Sequence, residues 1–223
     1  MKKGFFITGT DTDVGKTWVT VALMRFFKKQ GLSVIGLKPV AAGCDWQDGQ
    51  LKNDDALLLQ QNASVDLAYQ TVNPYAFKQP VSPHLAAMGQ SVQLDVIEKT
   101  FNKIKHSADV VLVEGAGGWL VPLNDVDDIA DLAKLIQLPV IVVVAIKLGC
   151  INHARLTVQS IQMSGLACAG WIAVCLDPEM TMQEENISTI SHKVSIPLLG
   201  VLPYSEESDF DLLAEGISSK YLI

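Results

Sequence analysis

Gly9-Thr10-Asp11-Thr12-Asp13-Val14-Gly15-Lys16-Thr17 follows the apolar run Gly4-Phe5-Phe6-Ile7-Thr8 and precedes Trp18-Val19-Thr20-Val21-Ala22-Leu23-Met24. An apolar strand, a loop ending in Gly-Lys-Thr and an apolar-faced helix form the pattern of a P-loop, whose backbone N–H groups and helix N-terminus cradle phosphates. The standard spacing asks for glycine at position 10, where this chain has Thr10 and sets Gly9 one place earlier. The loop is therefore a longer variant. In this reading Lys16 reaches the β- and γ-phosphates and Thr17 offers its hydroxyl to Mg2+.

Outward from the loop, Val19, Ala22, Leu23, Phe26 and Phe27 mark one buried helical stripe, closed by Lys28-Lys29-Gln30-Gly31. Residues 33–40 read as the next strand, with Lys38 at its C-terminal end, where open α/β sheets hold their ligands. Residues 41–52, with Gly43, Asp45, Asp48 and Gly49, read as a polar loop and a candidate for mobility. Asn53 is an expected N-cap for a helix over 54–61, whose first turn carries Asp54 and Asp55. For Asp54, compensation of the helix dipole is a sufficient role. Residues 66–83, with their Pro-containing pairs, suggest a short strand and an irregular connection; 83–88 suggest a short helix, and Leu94, Ile97, Phe101 and Ile104 a clearer one.

Asp109-Val110-Val111-Leu112-Val113-Glu114-Gly115-Ala116-Gly117-Gly118 is the second informative stretch. Its continuous apolar run implies a strand buried on both faces, hence a parallel sheet, ending in an acid and a glycine-rich turn. P-loop proteins keep a metal-holding carboxylate at such a strand end. Residues 127–136 read as an amphipathic helix and 139–146 as the most apolar strand. Lys147-Leu148-Gly149-Cys150-Ile151-Asn152-His153 then turns into a helix through Gln162, whose free N–H groups could hold a second anion. His153 there is better read as a polar or capping residue than as a base. A strand over 166–176, a polar helix over 179–194, a strand over 197–202 and a helix from about Asp209 complete the pattern. Alternating strands and helices predict a single α/β domain, 1–223, with a doubly wound, mostly parallel sheet covered by helices on both faces.

The 223 residues are 49% apolar, enough for a sizeable core, and 24 acidic residues against 17 Lys and Arg give a net charge of −7. With no basic cluster, the charge argues against nucleic acid or an anionic membrane as partner. No apolar run is long enough to cross a bilayer, and the basic start lacks the long apolar segment of a signal peptide, so a soluble, cytoplasmic chain is expected. Cys44, Cys150, Cys168 and Cys175 have no metal-site spacing and are expected as buried free thiols.

Lys16, Thr17, Lys38, Asp55 and Glu114 together form a parts list for Mg-nucleotide binding and phosphoryl transfer. Magnesium favours hard oxygens, and a second lysine suggests stabilisation of charge in the transition state.

The stretches 9–17, Lys38-Pro39-Val40-Ala41-Ala42-Gly43, Asn53-Asp54-Asp55-Ala56, Val72-Asn73-Pro74-Tyr75, Ser82-Pro83-His84, Val113-Glu114-Gly115-Ala116-Gly117-Gly118-Trp119 and 147–153 resemble, in order, the motif series of the dethiobiotin synthetases. The long spacing from Gly9 to Gly15 is that family's own. The resemblance weakens after about residue 175. It implies a ligase that carboxylates 7,8-diaminononanoate with CO2, phosphorylates the carbamate with ATP and closes a cyclic urea. It further implies Lys38 and Lys16 as catalytic lysines, and Thr17, Asp55 and Glu114 as Mg2+ ligands. Nucleotide contacts would come from Asp13, Val14, Gly15, Lys16, Thr17, Trp18, Asp55, Glu114, Gly115, Ala116, Gly117, Pro203, Tyr204 and Ser205. Substrate contacts would come from Thr12, Ala42 and, across a homodimer interface, Gly149, Cys150, Ile151 and Asn152. The chain departs from the family at Ala42, where Ser is frequent, and at Val174, where an adenine-contacting Asn is expected. Partition and septum-placement ATPases share this architecture but carry an additional lysine early in the P-loop, where this chain has Thr10-Asp11-Thr12.

Overall fold

A computed structural model describes residues 3–222. Strand β1 (Lys3–Gly9) runs into the P-loop and helix α1 (Lys16–Lys29), followed by β2 (Val34–Leu37), β3 (Val40–Ala42), β4 (Asp45–Gln47) and β5 (Gln50–Lys52). Helices α2 (Asp54–Gln61) and α3 (Tyr69–Val72), strand β6 (Tyr75–Phe77), and helices α4 (Pro83–Ala86) and α5 (Leu94–Ile104) lead to β7 (Val110–Gly118). The remainder alternates: α6 (Ile129–Ile136), β8 (Val140–Ala145), α7 (Cys150–Met163), β9 (Cys168–Val174), α8 (Gln183–Lys193), β10 (Leu198–Leu202) and α9 (Phe210–Glu215).

Six strands form the central sheet in the order β10-β9-β8-β1-β7-β2, and every pairing is parallel. β1 lies between β7 and β8, so the crossovers leave it in both directions and the loops after β1, β2 and β7 meet at one end of the sheet. Alternate residues along each strand feed opposite faces. Phe6, Val111, Val113, Val142 and Trp171 enter one buried cluster with α5, α6, α7 and α8. Phe5, Ile7, Leu112, Val143 and Ile172 enter the other with α1, α2, α3 and α9. The expected doubly wound parallel sheet is what the chain forms.

Local differences have local causes. The strand expected over 33–40 breaks after Leu37: the Lys38 N–H donates to the Val72 carbonyl rather than to the central sheet, Pro39 has no N–H to give, and β3 pairs with β6 instead. Residues 41–52 are not an irregular loop. They hold a β4–β5 hairpin whose turn places Asp48 and Gly49 at positive φ, the Asp-Gly hairpin signature. The short strand expected within 66–83 is β6, and the short helix α3 precedes it where an irregular connection is expected. β7 runs on through the glycines to Gly118, which pairs with Gly9 past an irregularity, so Glu114 sits within a strand rather than before a turn. Asn53 caps α2 as expected, accepting from the Ala56 N–H at 3.3 Å. All four cysteines are free; Cys44, Cys150 and Cys175 are buried, while Cys168 is only partly so.

Candidate active site

The P-loop takes its shape from backbone freedom at two positions. Asp13 (φ 54°) and Gly15 (φ 87°) are both left-handed, which turns the chain sharply into α1. A Cβ on Gly15 would lie 3.0 Å from the Val174 side chain, so the loop is packed against the end of β9. Lys16 Nζ folds back to donate to the Asp11 carbonyl at 2.8 Å, and the Lys147 ammonium stands 3.6 Å from Asp11 Oδ2.

Beside the loop, three elements deliver charge to one point. Glu114 is fully buried on β7. Its Oε1 accepts from Thr17 Oγ1 at 2.8 Å and from Lys38 Nζ at 2.8 Å, and its Oε2 accepts from Thr20 Oγ1 at 2.8 Å. Lys38 also donates to Asp55 Oδ2, which the capped start of α2 brings in from the far side. Burial alone would lower the Lys38 pKa, but the two carboxylates outweigh it and hold the ammonium above its ordinary range. Lys16 has the opposite fate: burial, reinforced by Lys38, overrides Glu114 and Asp55 and brings it down to about 8. Two neighbouring lysines thus differ in charge reserve, one locked in its charged form and one poised to titrate.

These groups line a cleft of about 840 Å3. Thr12, Asp13, Gly15, Lys16, Thr17, Trp18, Lys38, Ala42, Asp55, Glu114, Ala116 and Gly117 line it, as do Pro203, Tyr204 and Ser205 after β10. Val14 is buried behind the loop, and Gly115 does not face the cleft. Gly149, Cys150, Ile151 and Asn152 lie at the start of α7, outside the cleft of their own chain. Cys150 is buried there with Sγ 3.6 Å from Asn186 Oδ1. His153 is exposed.

Sequence reasoning missed Thr20. One helical turn beyond Lys16, its Oγ1 lies 2.8 Å from Glu114 Oε2 and 2.9 Å from the Lys16 carbonyl, two acceptors for its single proton, and a polar residue inside the apolar stripe of α1 was the available signal. It also missed Tyr69 and Asn73, which are joined by a hydrogen bond behind Lys38.

Among the described residues no group of three or more His, Cys, Asp or Glu could hold a metal. The oxygens beside Lys38 are nevertheless all hard: two carboxylates meet its ammonium, and the Thr17 hydroxyl donates to one of them. They fit Mg2+, which favours such a small protein share and takes its remaining ligands from phosphate and water.

A parallel doubly wound sheet with a Gly-Lys-Thr loop at its C-terminal edge defines a nucleotide-binding enzyme of the P-loop class. Solved structures agree on the fold. A cobyrinic acid a,c-diamide synthase from Mycobacterium smegmatis with bound ADP and magnesium superposes at TM-score 0.61 and 14% identity, covering 96% of this chain and 92% of that one. The septum site-determining protein MinD from Pyrococcus horikoshii gives 0.57 at 15% identity, covering 96% and 95%. The profile of a family described as "AAA domain" matches residues 3–211. The ATP-dependent dethiobiotin synthetase of Cellvibrio japonicus is 48% identical over 91% of this chain and 90% of its own. One from Escherichia coli O157:H7 is 47% identical over 93% of each. The chain belongs to the dethiobiotin synthetase family of ligases.

Proposed function

We propose that this enzyme closes the ureido ring of dethiobiotin from 7,8-diaminononanoate, CO2 and ATP through a carbamate and a carbamic-phosphoric anhydride. The observation that carries the reading is the buried Lys38 ammonium, held between Asp55 and Glu114 in the same cleft as the P-loop. A carbamate attacking a γ-phosphate gathers negative charge on both partners, and a permanently charged lysine fixed there stabilises the transition state more than the ground state.

Lys16 leaves the Asp11 carbonyl to grip the phosphates, aided by the loop amides from Asp13 to Trp18. Thr17, Asp55 and Glu114 hold Mg2+, which when bound neutralises phosphate charge. The base rests against Pro203, Tyr204 and Ser205, with Val174 and Cys175 as an apolar floor; Ala116 and Gly117 complete the phosphate side. At the other end of the cleft, Thr12 and Ala42 meet the diamine, and the Pro80 and Val81 wall suits its methylene chain. The carboxylate of the substrate is taken by the amides of Gly149, Cys150 and Ile151 and by Asn152 of a second copy, making the enzyme a homodimer. Each chain, 1–223, works as one α/β unit in the cytoplasm; no helix among the described residues is long and apolar enough to cross a membrane.

Labelled bicarbonate supplied with ATP, Mg2+ and the diamine tests the chemistry. Label should enter an acid-stable cyclic product, since a carbamate alone loses CO2 in acid. Label that stays acid-labile at full ATP consumption would contradict ring closure.

A further inference from the structure

Behind Lys38 runs a chain of hydrogen bonds whose middle members, Tyr69 and Asn73, are buried and lie off the cleft, while its ends, Asn53 and Lys38, line it. The Asn53 backbone N–H donates to the Tyr69 hydroxyl at 2.7 Å. That hydroxyl donates to Asn73 Oδ1 at 2.8 Å, and Asn73 Nδ2 donates to the Lys38 carbonyl at 2.6 Å and to the Tyr75 carbonyl at 3.2 Å. Tyr69 is 6% exposed and Asn73 2% exposed. At one end stands the residue that caps α2, two places before Asp55; at the other stands the backbone of Lys38. Each bond uses its donor in one direction only, because the Tyr69 proton is committed to Asn73 and the Asn73 amide to the two carbonyls.

We infer that Tyr69 and Asn73 are positioning residues which fix the start of α2 against Lys38, and so set the separation of the Lys38 ammonium from the Asp55 carboxylate. The need for such a device follows from the break in the sheet. Lys38 lies past the last residue of β2, where the central ladder no longer holds it, and only its own N–H, bonded to Val72, ties it to the backbone nearby. Asp55 comes from a separate helix packed on the opposite side. A salt bridge between long side chains tolerates slack, whereas buried amide and hydroxyl groups in a satisfied network do not. The inference rests on the proposed roles of Lys38 and Asp55.

Tyr69→Phe in the full chain removes the central hydroxyl and keeps the ring, which packs in the core. The expected result is a fall in kcat per nucleotide-binding site of roughly ten- to a hundredfold, with the affinity for Mg2+-free ADP within about twofold of wild type, because the P-loop is untouched. A structural role alone would lower the folded fraction while each folded site turned over normally, and that result overturns the relay. If Tyr69→Phe does not accumulate folded, Asn73→Ser, whose hydroxyl cannot span from Tyr69 to the Lys38 carbonyl, is read in the same way. Lys38→Ala is measured in parallel. Lost turnover in Lys38→Ala with normal kcat in Tyr69→Phe overturns the relay and spares the site reading; full turnover in Lys38→Ala overturns both.

Discussion

Lys16 and Lys38 show how position sets the chemistry of one residue type. Lys38 is paired with two carboxylates and stays charged at any working pH, while Lys16, desolvated and beside Lys38, is brought down to about 8. Bound phosphates stabilise the charged lysine, so nucleotide binding above this value takes up a proton. Affinity for Mg-ADP should be level between about pH 7 and 8, then fall by up to roughly tenfold per unit. Calorimetry in buffers of different ionisation enthalpy would detect the uptake; level affinity to pH 9.5 with no proton uptake, an approximate limit set by this linkage, would contradict it. In the free enzyme the sign is reversed. The lowered pKa costs stability while Lys16 is charged, and stability rises as pH passes from about 8 toward the ordinary lysine value of 10.5. Lys16 and Thr17 were legible because the loop motif dictates them, and Asp55 and Glu114 because each sits beside a cap or strand signal. Thr20, Tyr69 and Asn73 were not, since the bonds that tie them to the site cross between elements: Thr20 is 94 positions from Glu114, Asn73 is 35 from Lys38 and Tyr69 is 16 from Asn53.

At the level of elements, strand and helix identity was readable wherever an apolar period was long, as in α1, β7 and β8. It failed where tertiary hydrogen bonds decided the outcome. The reading of 33–40 as one strand could not foresee that Val72 would capture the Lys38 N–H, and the Asp48-Gly49 turn signal lost out to the polar character of its flanks. The Gly115–Gly118 run has the composition of a turn because glycine is rare inside strands, yet here the glycines let β7 pass the P-loop closely. Among the close backbone approaches, Gly170 is the sharpest test of packing between β9 and β10. A Cβ there would come within 2.6 Å of both the Leu199 side chain and the Pro197 carbonyl oxygen, and the carbonyl cannot yield without moving the start of β10. Gly170→Ala should lower the unfolding free energy by about 3 kcal/mol in urea titrations; an unchanged midpoint would mean that the two strands are less firmly registered than described.

For the whole molecule, the cleft of one chain holds the phosphate-handling groups but not residues 149–152, which the proposed reaction needs at the substrate carboxylate. If a second copy supplies them, two inactive variants should complement. Mixed and re-equilibrated Lys38→Ala and Asn152→Ala chains form heterodimers with one intact site, recovering about a quarter of wild-type activity. No recovery would show that each chain serves its own site. The central claim is that phosphoryl transfer is committed to a carbamate made from the diamine, and phosphate release from ATP measures it most directly. With Mg2+ present, release should be fast only when 7,8-diaminononanoate and bicarbonate are supplied together, and near background when either is missing; release at the same rate without them would contradict the account.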